Sequence, residues 1–84
     1  MTVQVLFFAS LKEATGTDRL SVEVAASMTF DAFLGLIREQ LAEDGYAALS
    51  AENVRVALNQ ELINGPFDIS PGDEIAFLPP VTGG

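Results

Sequence analysis

Only one stretch of this 84-residue chain carries a convincing helical period, and most of what surrounds it alternates like strand. Phe30, Phe33, Leu34, Ile37 and Leu41 recur at i, i+3, i+4, i+7 and i+11, a single apolar stripe, while Arg38, Glu39, Gln40 and Glu43 point elsewhere. Thr29 suits the N-cap, Asp31 sits in the first turn where the helix dipole favours an acid, and Gly45 stands where a left-handed C-terminal cap belongs. Gly35 inside this helix costs about 1 kcal/mol relative to alanine, and a close approach to a sheet is its expected reason. The aromatic stripe reads as core rather than as a cofactor box. One helix covers one sheet face, so the chain is restricted to a sheet with a single main helix packed on it.

The strands follow in order. Over residues 2–9, Val3, Val5 and Phe7 fall on one side and Gln4, Leu6 and Phe8 on the other. Residues 10–17 hold one helical turn at Leu11-Lys12-Glu13-Ala14, stopped by Gly16, and alternation resumes through Leu20, Val22 and Val24. These two strands predict an antiparallel hairpin with a long connection. Residues 46–53 form a loop with a short helical turn at 47–49, after which Val54, Val56 and Leu58 alternate with Arg55 and Ala57. Asn59-Gln60 turns the chain into a short strand at 61–63, and Asn64-Gly65-Pro66 and Ser70-Pro71-Gly72-Asp73 are strong turn signals. In the closing strand Ile75 and Phe77 share one face, Ala76 and Leu78 the other. A last strand paired with the first closes a mixed sheet over the helix, an α+β chain of the β-grasp, or ubiquitin-like, kind. The expected division is a folded domain over 1–78 and an extended C-terminal tail over 79–84.

Cysteine and histidine are both absent, which removes disulfides, thiolate nucleophiles, ordinary zinc sites and imidazole acid–base catalysis. No metal and no bound cofactor are expected. A hydrophobic fraction of 49% supports a packed core. Twelve acidic residues against four basic give a net charge of −8, which repels phosphate backbones and anionic lipid. Nucleic acid and membrane are therefore not expected partners; the charge suits steered docking onto basic protein partners, or solubility alone. No apolar run approaches the ~18 residues of a membrane span and no basic segment leads into an apolar one, so a soluble cytoplasmic protein is expected.

Two features are left over from packing. If Val3, Val5, Phe7, Leu20, Val22, Val24, Val56, Ile75 and Phe77 face the helix, then Leu6, Phe8, Ala57, Ala76 and Leu78 line a sheet face with no second helix over it. An open apolar patch points to a partner unless loops fold across it. The other feature is the ending, Pro79-Pro80-Val81-Thr82-Gly83-Gly84. Two prolines make a stiff extended spacer, Val81 and Thr82 prefer extended backbone, and Gly83 and Gly84 fit a channel too narrow for any side chain. Six residues at ~3.3 Å each reach roughly 20 Å, enough to carry a terminal carboxylate into a pocket of another protein. Terminal glycines are also common as plain chain ends; here they directly follow a strand-like Glu74-Ile75-Ala76-Phe77-Leu78 and a proline stop.

From end to end the chain resembles the ubiquitin-like sulfur carriers that form the small subunit of molybdopterin synthase. The resemblance rests on Val5-Leu6-Phe7-Phe8-Ala9, Gly16-Thr17-Asp18, Ala57-Leu58-Asn59-Gln60 and above all the run from Gly72 through Leu78 to Pro79-Pro80-Val81-Thr82-Gly83-Gly84. It implies that the Gly84 carboxylate is adenylated with ATP by an enzyme similar to ubiquitin activators. A sulfur donor then converts it to a thiocarboxylate, with Gly83 as its slender neighbour. The tail enters the large subunit of the synthase, and sulfur passes to cyclic pyranopterin monophosphate to build the molybdopterin dithiolene. Leu6, Phe8 and Leu78, with Pro79, Pro80, Val81 and Thr82, are the expected partner-binding residues, and the catalytic side chains belong to the large subunit. A thiazole-pathway sulfur carrier, a ubiquitin-like protein modifier and a non-catalytic β-grasp adaptor are the alternatives.

Overall fold

A computed structural model describes residues 1–51 and 53–79. In chain order the elements are β1 (Thr2–Phe7), α1 (Ser10–Thr15), β2 (Arg19–Glu23), β3 (Met28–Thr29), α2 (Phe30–Gln40), α3 (Glu43–Leu49), β4 (Arg55–Leu58), β5 (Glu61–Ile63), β6 (Asp68–Ile69) and β7 (Glu74–Leu78). The main sheet runs β2-β1-β7-β4-β5, with β1 and β7 parallel at its centre and every other pairing antiparallel. The first and last strands therefore pair, as expected from the order of the elements, and the sheet is mixed.

Period-two alternation decides what the sheet buries. Val3, Val5, Phe7, Val22, Ile75 and Phe77 are essentially inaccessible and meet Phe33 and Ile37 of α2, while Leu20 and Val56 pack against the same core. Phe7 and Phe77 stack inside it with centroids 5.9 Å apart, and at its edge the partly buried Phe30 stacks on Phe67 at 4.6 Å. Thr29 caps α2 as expected, its Oγ1 accepting from the Ala32 N–H at 3.2 Å. Gly16 ends α1 in the left-handed conformation at φ 79°. Ser70-Pro71-Gly72-Asp73 closes on a hydrogen bond from the Asp73 N–H to the Ser70 carbonyl at 3.0 Å, with Gly72 at φ 92°.

Three expectations about the helical region are corrected. Gly45 does not cap α2, which ends at Gln40 with Leu41 already extended at φ −113° and ψ 153°. It lies buried inside α3, a helix of seven residues where the sequence suggests only a turn at 47–49. The break has a packing reason. At 100° per residue an unbroken helix would aim Tyr46 and Leu49 roughly 160° and 100° away from the Phe30 position on the stripe. The new helix instead buries Leu49 and brings the Tyr46 ring to 5.3 Å from the Arg38 guanidinium. The close approach to the sheet expected at Gly35 is not found, and the tight backbone contact is instead that of Gly45 with α1. A Cβ at Gly45 would stand 3.1 Å from Thr15 Cα and 3.2 Å from the Ala14 carbonyl oxygen, whereas one at Gly35 meets nothing within 4 Å. The small sheet of β3 and β6 is also absent from the sequence reading, because two-residue strands are too short to show a period.

The two glycines make opposite predictions. Gly35→Ala should raise stability by about 1 kcal/mol through helix propensity alone. Gly45→Ala should lower it by about 1–2 kcal/mol, because the obstructing atoms belong to the backbone of α1 and the helix must slide to admit a methyl group. Urea unfolding of both variants checks this, and stabilisation by both would show that α1 and α3 are not in close contact.

Candidate functional site

The sheet face away from α2 is organised by register. Leu62 on β5 lies opposite Ala57 on β4, Ala57 opposite Ala76 on β7, and Ala76 opposite Leu6 on β1. Directly opposite residues share a face, so these four form one apolar row. One step toward the end of the sheet stand Leu78 and Phe8, and the Phe8 N–H donates to the Phe77 carbonyl at 3.2 Å, which holds Phe8 beside β7. After Phe8 the chain turns through Ala9 at φ 49°, ψ −124°, a strained conformation for a residue with a Cβ, and Leu11 then drops into the core.

The result is a dish rather than a bulge. Alanines floor its centre, Leu6, Phe8, Leu62 and Leu78 wall it, and Gln60 and Glu74 are its polar lining residues, giving a hollow of about 500 Å³. Phe8 and Leu62 keep 44% and 53% of their surface exposed, so no loop among the described residues folds across it. A hollow of this shape accepts bulky apolar side chains from another protein. A second hollow of about 370 Å³ opens at the start of α2 beside the stacked Phe30 and Phe67, and Asp31 and Asp68 are its only ionisable lining residues.

Of the expected partner-binding residues, the structure brings Leu6, Phe8 and Leu78 together, and Pro79 follows half-buried at the end of β7. Pro80, Val81, Thr82, Gly83 and Gly84 lie outside the described residues. Leu62 belongs to the same face and is missed by the strand alternation considered alone. A signal existed, because a two-residue turn at Asn59-Gln60 pairs Leu58 with Glu61 and therefore Ala57 with Leu62. Both turn residues have positive φ, 50° and 71°, as such a turn requires.

Asn59 has a further role. Its Oδ1 accepts from the Glu74 N–H at 2.9 Å, its Nδ2 donates to Asp73 Oδ1 at 3.2 Å, and its own N–H donates to the Glu74 carbonyl at 2.8 Å. The root of β7, the strand that leads to the chain's end, is thereby stapled to the β4–β5 turn.

Among the described residues there is no buried charged or polar side chain and no cluster of three or more carboxylates that could hold a metal ion. No helix among them is long and apolar enough to cross a membrane.

A mixed sheet with parallel first and last strands and a helix across one face is the ubiquitin-like β-grasp. The chain belongs to the ThiS family, whose model matches residues 5–84. It is 40% identical over 84 residues to the molybdopterin synthase sulfur carrier subunit of Escherichia coli, covering 98% of this chain and 99% of that one. Among solved structures it is similar to a chain from the complex of subunits 1 and 2 of the molybdopterin-converting factor of Helicobacter pylori, at 28% identity, full coverage of both chains and a TM-score of 0.62. The small archaeal modifier protein 1 of Haloferax volcanii shares the fold at 22% identity and a TM-score of 0.75, covering 95% of this chain and 98% of that one.

Proposed function

We propose that the chain is the sulfur carrier subunit of a molybdopterin synthase, with residues 1–78 as the docking domain and 79–84 as the working tail. The observation that carries this reading is the open apolar dish beside the end of β7, the strand that runs directly into Pro79 and the glycine ending. Full-length similarity to sulfur carrier subunits supports it.

The chemistry starts from an inert group. The terminal carboxylate of Gly84 is ionised at neutral pH and a poor electrophile. In an adenylating enzyme one of its oxygens attacks the α-phosphorus of ATP and pyrophosphate leaves, producing an acyl adenylate. Sulfur delivered at the sulfide level attacks the acyl carbon, AMP departs, and the terminus becomes a thiocarboxylate. Glycine leaves that carbonyl open on both sides, and Gly83 keeps the approach narrow enough for a channel. The large subunit then receives the tail, the thiocarboxylate sulfur bonds to a carbon of cyclic pyranopterin monophosphate, and water attacks the acyl carbon and breaks its bond to sulfur, which leaves sulfur on the pterin and restores the carboxylate for another cycle. No cysteine is required, because sulfur rides on the backbone terminus. The domain itself needs no bound cofactor, and ATP belongs to the activating enzyme.

The family match also favours a thiazole-pathway carrier as a second reading, since it would use the same ending and activation. The two separate at the second step. The thiocarboxylated chain, mixed with the purified large subunit and cyclic pyranopterin monophosphate, should yield molybdopterin. A thiocarboxylate that forms but gives no product would favour the thiazole reading, and adducts on partner lysines would favour a protein modifier.

A further inference from the structure

Three of the four basic residues gather at the end of the apolar face from which β7 leaves, on a chain whose net charge is −8. Arg19 stands opposite Leu6 and Arg55 opposite Leu78, so both flank the dish. Lys12 shares with Arg19 a hollow of about 350 Å³ walled by Leu6 and Phe8, with Asp18 the one acid in it. Of the described acids on the same face, Glu23 is set at its other end, opposite Thr2, and Glu74, opposite Gln4, lines the dish on the side away from Leu78 and Phe8. The fourth cation, Arg38, lies in the helical layer beside Tyr46.

Lys12, Arg19 and Arg55 are exposed, and the ion pair found among the described residues joins the N-terminus to Glu23 instead. Arg19 and Arg55 are separated by three strand spacings and one two-residue step, roughly 16 Å between backbones. Net charge therefore misstates what a docked partner meets. At contact range the nearest charges decide, because those beyond the Debye length of about 8–10 Å are screened.

We propose that Arg19 and Arg55 are specificity determinants of docking, each facing a carboxylate on the rim of a partner surface that is apolar at its centre. Resting on the function proposed above, that partner is the large subunit of the synthase. Apolar contact with the dish supplies affinity, while the two guanidinium groups, whose planar forks match carboxylates, set register and speed encounter. The partner rim is acidic at this place, opposite to what the overall charge of the chain suggests.

Arg19→Gln, Arg55→Gln and, as a control, Arg38→Gln each remove one positive charge. Association with the purified large subunit is followed for each at about 50 mM and about 500 mM salt. Arg19→Gln and Arg55→Gln should each slow association about three- to tenfold at low salt, with the difference closing at high salt, while Arg38→Gln stays within about twofold of wild type. Rates for Arg19→Gln and Arg55→Gln equal to wild type would overturn the proposal, as would equal slowing by Arg38→Gln, which would reveal only a general field effect. Failure of the wild-type chain to bind the large subunit at all would instead overturn the function on which the proposal rests.

Discussion

A chain ending at Thr82 should fold like the intact protein and transfer no sulfur. The core side chains run from Val3 to Phe77, so removing Gly83 and Gly84 takes none of them away. The melting temperature should therefore move by less than about 2–4 °C, the shift that half a kcal/mol produces in a domain of this size. Activity with the large subunit should vanish altogether, because the new terminus is two residues short and carries a β-branched side chain next to the carboxylate. Thermal melts and product formation, measured on one preparation, check both halves. A large fall in melting temperature would mean that the tail is part of the fold, which counts against a carrier.

The second large effect separates the two faces of β7 at adjacent residues. Phe77 is 1% exposed and packs against Phe7 and Phe30, so Phe77→Ala should cost about 3–5 kcal/mol. A domain of this length has about 4–13 kcal/mol in total, so that variant should be marginal or unfolded at 37 °C. Leu78→Asp places a charge on the open face, where water still reaches it in the free protein. It should fold near normally and lose large-subunit binding by at least tenfold, because docking would bury the carboxylate in an apolar contact. Denaturant unfolding and binding assays on both variants decide the matter. Equal destabilisation by the two would show that the faces are wrongly assigned.

The face assignment was legible because alternation along β1, β2, β4 and β7 is strict, and each inward position predicted from it lies in or against the core. The pairing of the last strand with the first in a mixed sheet was expected from the order of the elements; its parallel direction comes from the structure. What the helical period did not contain was its own interruption. Leu41 continues the apolar stripe on paper, yet the backbone leaves the helix there so that α3 can cross α1 at Gly45, a demand set by residues some thirty positions away in the chain. Gly35 and Gly45 look alike as letters; only the neighbour at Thr15 distinguishes them. On the outer face Leu6, Phe8 and Leu78 were found from strand periodicity. Leu62 needed the register of a turn, and the grouping of Arg19 with Arg55 needed the pairing of four strands, so neither was visible in any one segment.

The central claim is that sulfur is carried at Gly84. Met1 and Met28 are thioethers and the chain has no cysteine, so no side chain offers a thiol on which a transferable sulfur could ride. The direct test is the intact mass of the chain after incubation with ATP, its cognate adenylating enzyme and a sulfur donor. The account predicts that one terminal oxygen is replaced by sulfur, with fragmentation placing the change on the last residue. An unaltered mass with an adenylating enzyme shown to bind the chain, or sulfur found at any residue other than Gly84, would contradict it.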